Sequence, residues 1–120
     1  MAVLGLVAGL AFTPLAGARS SVDVPVSVAV SSLPPQARAT YRSILKGGPF
    51  HYRKDGIVFG NYERQLPAHA RGYYHEYTVK TPRSRNRGAR RIVCGGAPPA
   101  PPEVCYYTDD HYASFRRIEP

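Results

Sequence analysis

The sequence predicts an α+β fold, one N-terminal α-helix packed on a twisted antiparallel β-sheet. Three observations carry that expectation. Residues 31–48, SSLPPQARATYRSILKGG, form the one stretch that joins helical apolar spacing to start and stop signals. Everything after Gly48 reads as short aromatic and β-branched runs separated by Gly, Pro and Asp turns. No segment repeats, and a chain of 120 residues with 43% hydrophobic content has room for one modest core.

In chain order, the apolar run from Ala2 to Phe12, then Pro14 and the small residues Ala16, Gly17 and Ala18, follow the pattern of a secretory signal cleaved after Ala18. No basic residue precedes the run, and a retained membrane anchor is the alternative. The run is short against the roughly 20 residues of a span, and Pro14 interrupts it. Residues 1–18 are therefore read as a signal peptide and 19–120 as one domain, exported and not membrane-bound once processed. Residues 22–30, VDVPVSVAV, alternate and are rich in valine, as an early strand would be. In the helix, Ser32 is the expected cap, Pro34 and Pro35 fit the first turn, and Ala39, Tyr41, Ile44 and Leu45 are the expected apolar face before Gly47-Gly48. Strands are expected over 57–59, 73–79, 90–94, 104–108 and 113–118.

Cys94 and Cys105 bracket the proline-rich GGAPPAPPEV. An exported chain can keep them as a disulfide, with two buried thiols as the alternative. No metal is expected, because two Cys and four scattered His lack the short ligand spacings of zinc sites, and no cofactor motif is present.

The formal net charge of +8, from 16 basic against 8 acidic residues, favours a polyanionic partner. The densest positive region follows a single strand acid: GYYHEYTVKTPRSRNRGARRIV, residues 72–93, sets Glu76 before one Lys and five Arg. Strand alternation turns Tyr74, Glu76 and Thr78 to one face and Tyr73, His75, Tyr77 and Val79 to the other. His75 is thereby excluded as the direct partner of Glu76. With Ile92 in the core, Arg91 and Val93 turn outward, and Arg91 is expected beside Glu76 on a solvent-side face. A carboxylate and an imidazole sharing an arginine-lined space suit RNA cleavage without a metal: the acid takes the ribose 2'-OH proton and the imidazolium protonates the leaving oxygen. Which of His51, His69, His75 and His111 serves is not decided by composition. A solvated basic loop is the plain reading of the arginine run taken alone.

Four segments, LPPQARATYRSILKGGPF, DGIVFGNYERQLP, GYYHEYTVKTPRSRNRGARRIV and YYTDDHYASF, in this order resemble the bacterial guanyl-specific ribonucleases, the barnase-like secreted microbial ribonucleases. The resemblance covers most of residues 19–120. It implies a helix on an antiparallel sheet and a secreted endoribonuclease that cuts single-stranded RNA 3' of guanine through a 2',3'-cyclic phosphate. By position it makes Glu76 the general base and His111 the general acid, with Arg91 holding the phosphate, Arg87 assisting and Tyr112 bonding a phosphate oxygen. Glu63 would accept the N1 and N2 protons of guanine, backbone N–H groups around Asn61 and Tyr62 would meet O6, and Phe59 would line the base site. Gly60 and Tyr62 depart from relatives that carry polar or basic residues there. Arg87 and Arg91 would favour the ionised form of Glu76, and Asp109 or Asp110 the charged form of His111. An acidic, barstar-like inhibitor is the protein partner such a basic cleft would attract, and a monomer is expected. The competing readings are a toxin of the same chemistry and a catalytically dead basic RNA-binding module.

Overall fold

The computed structural model describes residues 25–96 and 100–120. The expected signal, residues 1–18, and the start of the expected early strand lie outside them. Helix α1 spans Pro35–Lys46. Proline at its first position forfeits only an N–H that a helix start leaves unpaired, and its ring presets φ. Pro34 occupies the cap position without a side-chain hydrogen bond, whereas Ser32, the expected cap, ends a 3-10 turn over Val30–Ser32. At the other end Gly47 takes φ 88°, and the N–H groups of Gly47 and Gly48 reach the carbonyls of Ile44 and Ser43 at 3.1 and 2.8 Å. That left-handed exit is the reason for glycine at position 47.

Ala37 and Ile44 are buried on the sheet with Tyr41 packed between them. The spacing i, i+4, i+7 is one helical stripe. The expected face is corrected at two positions: Ala39 and Leu45 are exposed, Leu45 by 47%. At about 100° per residue Ala39 lies nearly opposite Ala37, and Leu45 falls beyond the stripe's edge.

Six strands follow the order β1-β6-β5-β4-β3-β2, with β1 at Ser27–Ala29, β2 at Ile57–Val58, β3 at Tyr74–Thr78, β4 at Arg91–Gly95, β5 at Val104–Thr108 and β6 at Arg116–Glu119. From β2 to β6 the pairing is antiparallel, and β1 adds to β6 in parallel, so one edge of the sheet is mixed. Asp55 pins the turn before β2: its two carboxylate oxygens accept the Thr78 N–H at 2.7 Å and the Tyr52 N–H at 3.2 Å.

The sheet is covered on both faces. On the helix side Ile92, Cys94, Cys105, Tyr107 and Val79 join Leu33, Ala37 and Ile44. On the other side Val93, Tyr74 and Tyr106 pack with Leu66 and Phe115. The solvent-side face expected for Arg91 and Val93 is therefore corrected, since they are 3% and 0% exposed. β4 is a central strand, and its side chains are buried whichever way they point.

Cys94 and Cys105 face each other across β4 and β5 and form a disulfide. Closing a ring of twelve residues contributes about 3 kcal/mol in the chain-entropy account. Replacing both by Ala is expected to lower the urea midpoint correspondingly, with m rising as the released unfolded chain expands. A midpoint equal to that of the parent protein would show that the native strand pairing makes the crosslink redundant. Among the described residues no helix is long and apolar enough to cross a membrane.

Candidate active site

The second sheet face carries the polar cluster. Glu76 lies opposite Val93, and Arg91, two residues along β4 and on the same face, lies opposite Thr78, so the two charged residues are diagonal neighbours. The Arg91 Nε stands 3.9 Å from Glu76 Oε1, and Arg87 Nη2 stands 3.8 Å from the same oxygen. Arg91 is held on three sides: Nε donates to the Tyr112 hydroxyl at 3.1 Å, and Nη1 donates to the carbonyls of Gly88 and Arg90 at 3.0 and 2.8 Å. Arg87 is aimed by Thr78, whose hydroxyl accepts from Nε at 3.0 Å. Its Nη2 is buried without a hydrogen-bond partner among the described residues. A buried guanidinium nitrogen left open calls for an anionic acceptor.

Tyr112 completes the cluster. Its hydroxyl donates to Glu76 Oε1 at 2.5 Å while accepting from Arg91. Burial, then the hydrogen bond and charge of Glu76, push the Tyr112 hydroxyl up to about 12. It thus remains a proton donor at neutral pH, and without bound phosphate that proton goes to Glu76.

His111 and Tyr112 both take left-handed backbone, at φ 56° and 74°. Asp110 holds the turn: it accepts the Thr108 hydroxyl at 2.8 Å, the Ser114 N–H at 2.9 Å and the Ser114 hydroxyl at 2.6 Å. These bonds, the Ser114 hydroxyl first, hold the Asp110 carboxyl down to about 2. The His111 N–H reaches the Ala89 carbonyl at 3.0 Å, which ties this turn to the arginine segment. The expected acidic neighbours of His111 are engaged elsewhere, Asp110 as described and Asp109 with Arg116 at 3.6 Å.

A lowered acid stabilises the fold above its ordinary value near 3.8, and that contribution is lost as pH falls through about 2. Asp110→Asn is therefore expected to lower the melting temperature at pH 6, with the gap from the parent closing toward pH 2. A gap of constant size over that range would remove Asp110 from the acid response.

The loop from Phe59 to Leu66 faces this cluster. Asn61 folds it, donating through Nδ2 to the Leu66 carbonyl at 2.9 Å and accepting the Leu66 N–H at 3.1 Å. Among the described residues the N–H groups of Asn61 and Tyr62 donate to no other group. Gln65 joins the loop to the His111 turn by donating to the Ala113 carbonyl at 3.1 Å. Glu63, Tyr62 and Phe59 line one cavity of about 470 Å³ together with Glu76, His111 and Tyr112.

Of the residues singled out by sequence, Phe59, Asn61, Tyr62, Glu63, Glu76, His111 and Tyr112 line this one cavity, and Arg87 and Arg91 stand within 4 Å of Glu76 at its wall. Two supporting residues were not anticipated, Thr78 and Gln65. Thr78 was within reach, since alternation already put it on the face of Glu76. The Gln65 contact spans 48 residues and leaves no local signal. His75 faces the opposite side of the sheet, beside Cys94 and Tyr77, as alternation requires. Among the described residues no group of three or more His, Cys, Asp or Glu could hold a metal ion.

A ribonuclease family model matches residues 17–119. Guanyl-specific ribonuclease Sa3 of Kitasatospora aureofaciens is 54% identical over 100 residues, which are 83% of this chain and 68% of that protein. Guanyl-specific ribonuclease Sa of the same organism is 50% identical over 97 residues, covering 81% of this chain and 97% of that protein. A structure of ribonuclease Sa2 in complexes with mononucleotides superposes with TM-score 0.74 at 44% identity, over 82% of this chain and 97% of that one. Another, of ribonuclease Sa2 with guanosine-2'-cyclophosphate, has TM-score 0.72 at 44% identity, over 81% of this chain and 98% of that one.

Proposed function

The chain belongs to the ribonuclease family, and from that membership together with the cavity at Glu76 we propose how it works: it is an endoribonuclease that cuts single-stranded RNA 3' of guanine through a 2',3'-cyclic phosphate. The observation that carries the proposal is a carboxylate with two guanidinium groups within 4 Å, at the wall of a cavity it shares with His111 and Glu63.

In the first step Glu76 takes the proton of the ribose 2'-OH and O2' attacks phosphorus. The bond from phosphorus to O5' breaks, and His111 supplies the proton that O5' acquires. Arg87 and Arg91 stabilise the phosphoryl oxygens as charge builds on them. In the second step the roles reverse: His111 takes a proton from water, the water oxygen attacks the cyclic phosphate, the bond from phosphorus to O2' breaks, and Glu76 returns a proton to O2'. Tyr112 can then turn its hydroxyl proton from Glu76 to a phosphate oxygen. DNA lacks the 2'-OH and is not cut.

Guanine is chosen by its edge. The Glu63 carboxylate accepts from N1 and N2, and the open N–H groups near Asn61 and Tyr62 meet O6. Adenine offers the opposite pattern and leaves these groups unpaired. In a duplex that edge is already occupied. With EDTA present, GpA is expected to be cleaved well ahead of ApA, CpA and UpA, with a cyclic phosphate as the first product. Binding of RNA without any cyclic product would instead favour a dead RNA-binding module. Glu63→Gln is expected to lower kcat/KM on GpA by about 10- to 100-fold and to narrow the preference over ApA. An unchanged GpA to ApA ratio would take base recognition away from Glu63.

The same proposal includes export, from the apolar start of the chain, and an acidic protein inhibitor that covers the basic cleft. A net charge of +8 would steer such a partner in at a rate that falls with salt.

A further inference from the structure

The two arginines reach Glu76 by different means. Arg91 stands on β4, and three hydrogen bonds fix its guanidinium. Arg87 lies in the loop between β3 and β4, and its side chain is 25% exposed. Among the described residues its side chain makes one hydrogen bond, from Nε to the Thr78 hydroxyl at 3.0 Å. A long side chain on a loop has many rotamers to lose, so the place of this guanidinium depends on the Thr78 oxygen and on the charge of Glu76 at 3.8 Å.

Thr78 is itself held from behind. It is the last residue of β3 and is 4% exposed. β2 pairs with His75 and Glu76, so the ladder on that edge stops short of Thr78 and leaves its N–H and C=O to find other partners. Asp55 accepts the N–H at 2.7 Å, and the hydroxyl of Thr40, on α1, donates to the C=O at 3.2 Å. The main chain of Thr78 is thus gripped by the helix and by the turn before β2, while its side chain shares the face of Glu76.

We propose that Thr78 is a positioning residue for Arg87: clamped by Asp55 and by Thr40 of α1, it carries the oxygen that holds this guanidinium beside Glu76, and the rate of cleavage depends on that bond. The proposal rests on the catalytic reading of Arg87 given above. Thr78 acts through Arg87 and takes no part in proton transfer. It ties a residue of the helix, on the far side of the sheet, to the reacting phosphate.

The test pairs steady-state cleavage of GpA with NMR of the arginine Nε–H groups. Valine matches threonine in shape but offers no acceptor, so in Thr78→Val the Arg87 Nε loses its partner and the guanidinium turns to water. In that variant kcat is expected to fall about tenfold, with KM within about twofold of the parent because the base contacts are untouched. Thr78→Ser keeps the oxygen and is expected to retain kcat within about threefold. In an Arg87→Ala background Thr78→Val is expected to do nothing further. Thr40→Val, which opens the clamp at α1, is expected to lower kcat several-fold, again with no effect once Arg87 is gone. The Arg87 Nε–H is expected to exchange with solvent markedly faster in Thr78→Val than in the parent or in Thr78→Ser. Parental kcat in Thr78→Val or in Thr40→Val, equal losses with Val and Ser at position 78, or a loss undiminished without Arg87 would each overturn the proposal. Parental kcat in Arg87→Ala would strike the catalytic reading of Arg87 alone, because the exchange of its Nε–H judges the hold of Thr78 independently.

Discussion

A Glu76→Gln protein is expected to cleave GpA on the order of 100-fold or more slowly while melting close to the parent. Gln keeps an oxygen where the Tyr112 hydroxyl donates at 2.5 Å, so the packing around it survives. What disappears is a group able to take a proton, and the two guanidiniums at 3.8 and 3.9 Å lose the charge they face. The rate profile is informative as well. With both groups present the rate rises on the acid side as the base ionises and falls on the alkaline side as the acid loses its proton. Glu76→Gln is expected to lose the acid-side rise. A variant with parental kcat and an unaltered profile would assign the base to another residue.

His111→Gln is expected to show a loss of similar size on GpA, with a different dependence on the leaving group. Ribose O5' is a poor leaving group and needs a proton as it departs, whereas a nitrophenolate leaves without one. On a guanosine 3'-(4-nitrophenyl phosphate) substrate the loss in His111→Gln should therefore shrink markedly, and the loss in Glu76→Gln should stay. Equal losses on both substrates would mean that His111 does not protonate the leaving oxygen. The side chain is well placed to be replaced cleanly: it is exposed, and the turn that carries it is held by Asp110, Thr108 and Ser114.

Much of this was legible in the amino-acid order because the signals are local. Pro35 and Gly47 mark the ends of α1 through their own φ preferences. Alternation along residues 73–79 separates Glu76 from His75 without any knowledge of partners. The strand candidates after Gly48 all appear, with ends shifted by a few residues. The largest shift is at β6, expected from 113 and found from Arg116, because Ala113 and Ser114 give their N–H groups to the Asp110 turn.

The readings that needed correction depended on contacts distant in sequence. Ala39 and Leu45 look as apolar as Ala37 and Ile44, and only the side on which the sheet lies separates them. Arg91 reads as a surface charge. It is buried on the central strand against the Tyr112 turn, and that burial is tolerable because its guanidinium is satisfied by Tyr112, Gly88 and Arg90.

By itself the amino-acid order determined the elements, the face on which each strand residue lies and the kinds of chemical group available, since these follow from backbone preference and a period of two. Tertiary structure alone decided that residues 63, 76 and 111 meet at one cavity with Arg91 beside Glu76, and that Tyr112 bridges the acid to the arginine. Such arrangements arise from strand pairing and loop closure between segments tens of residues apart, where no local preference reaches.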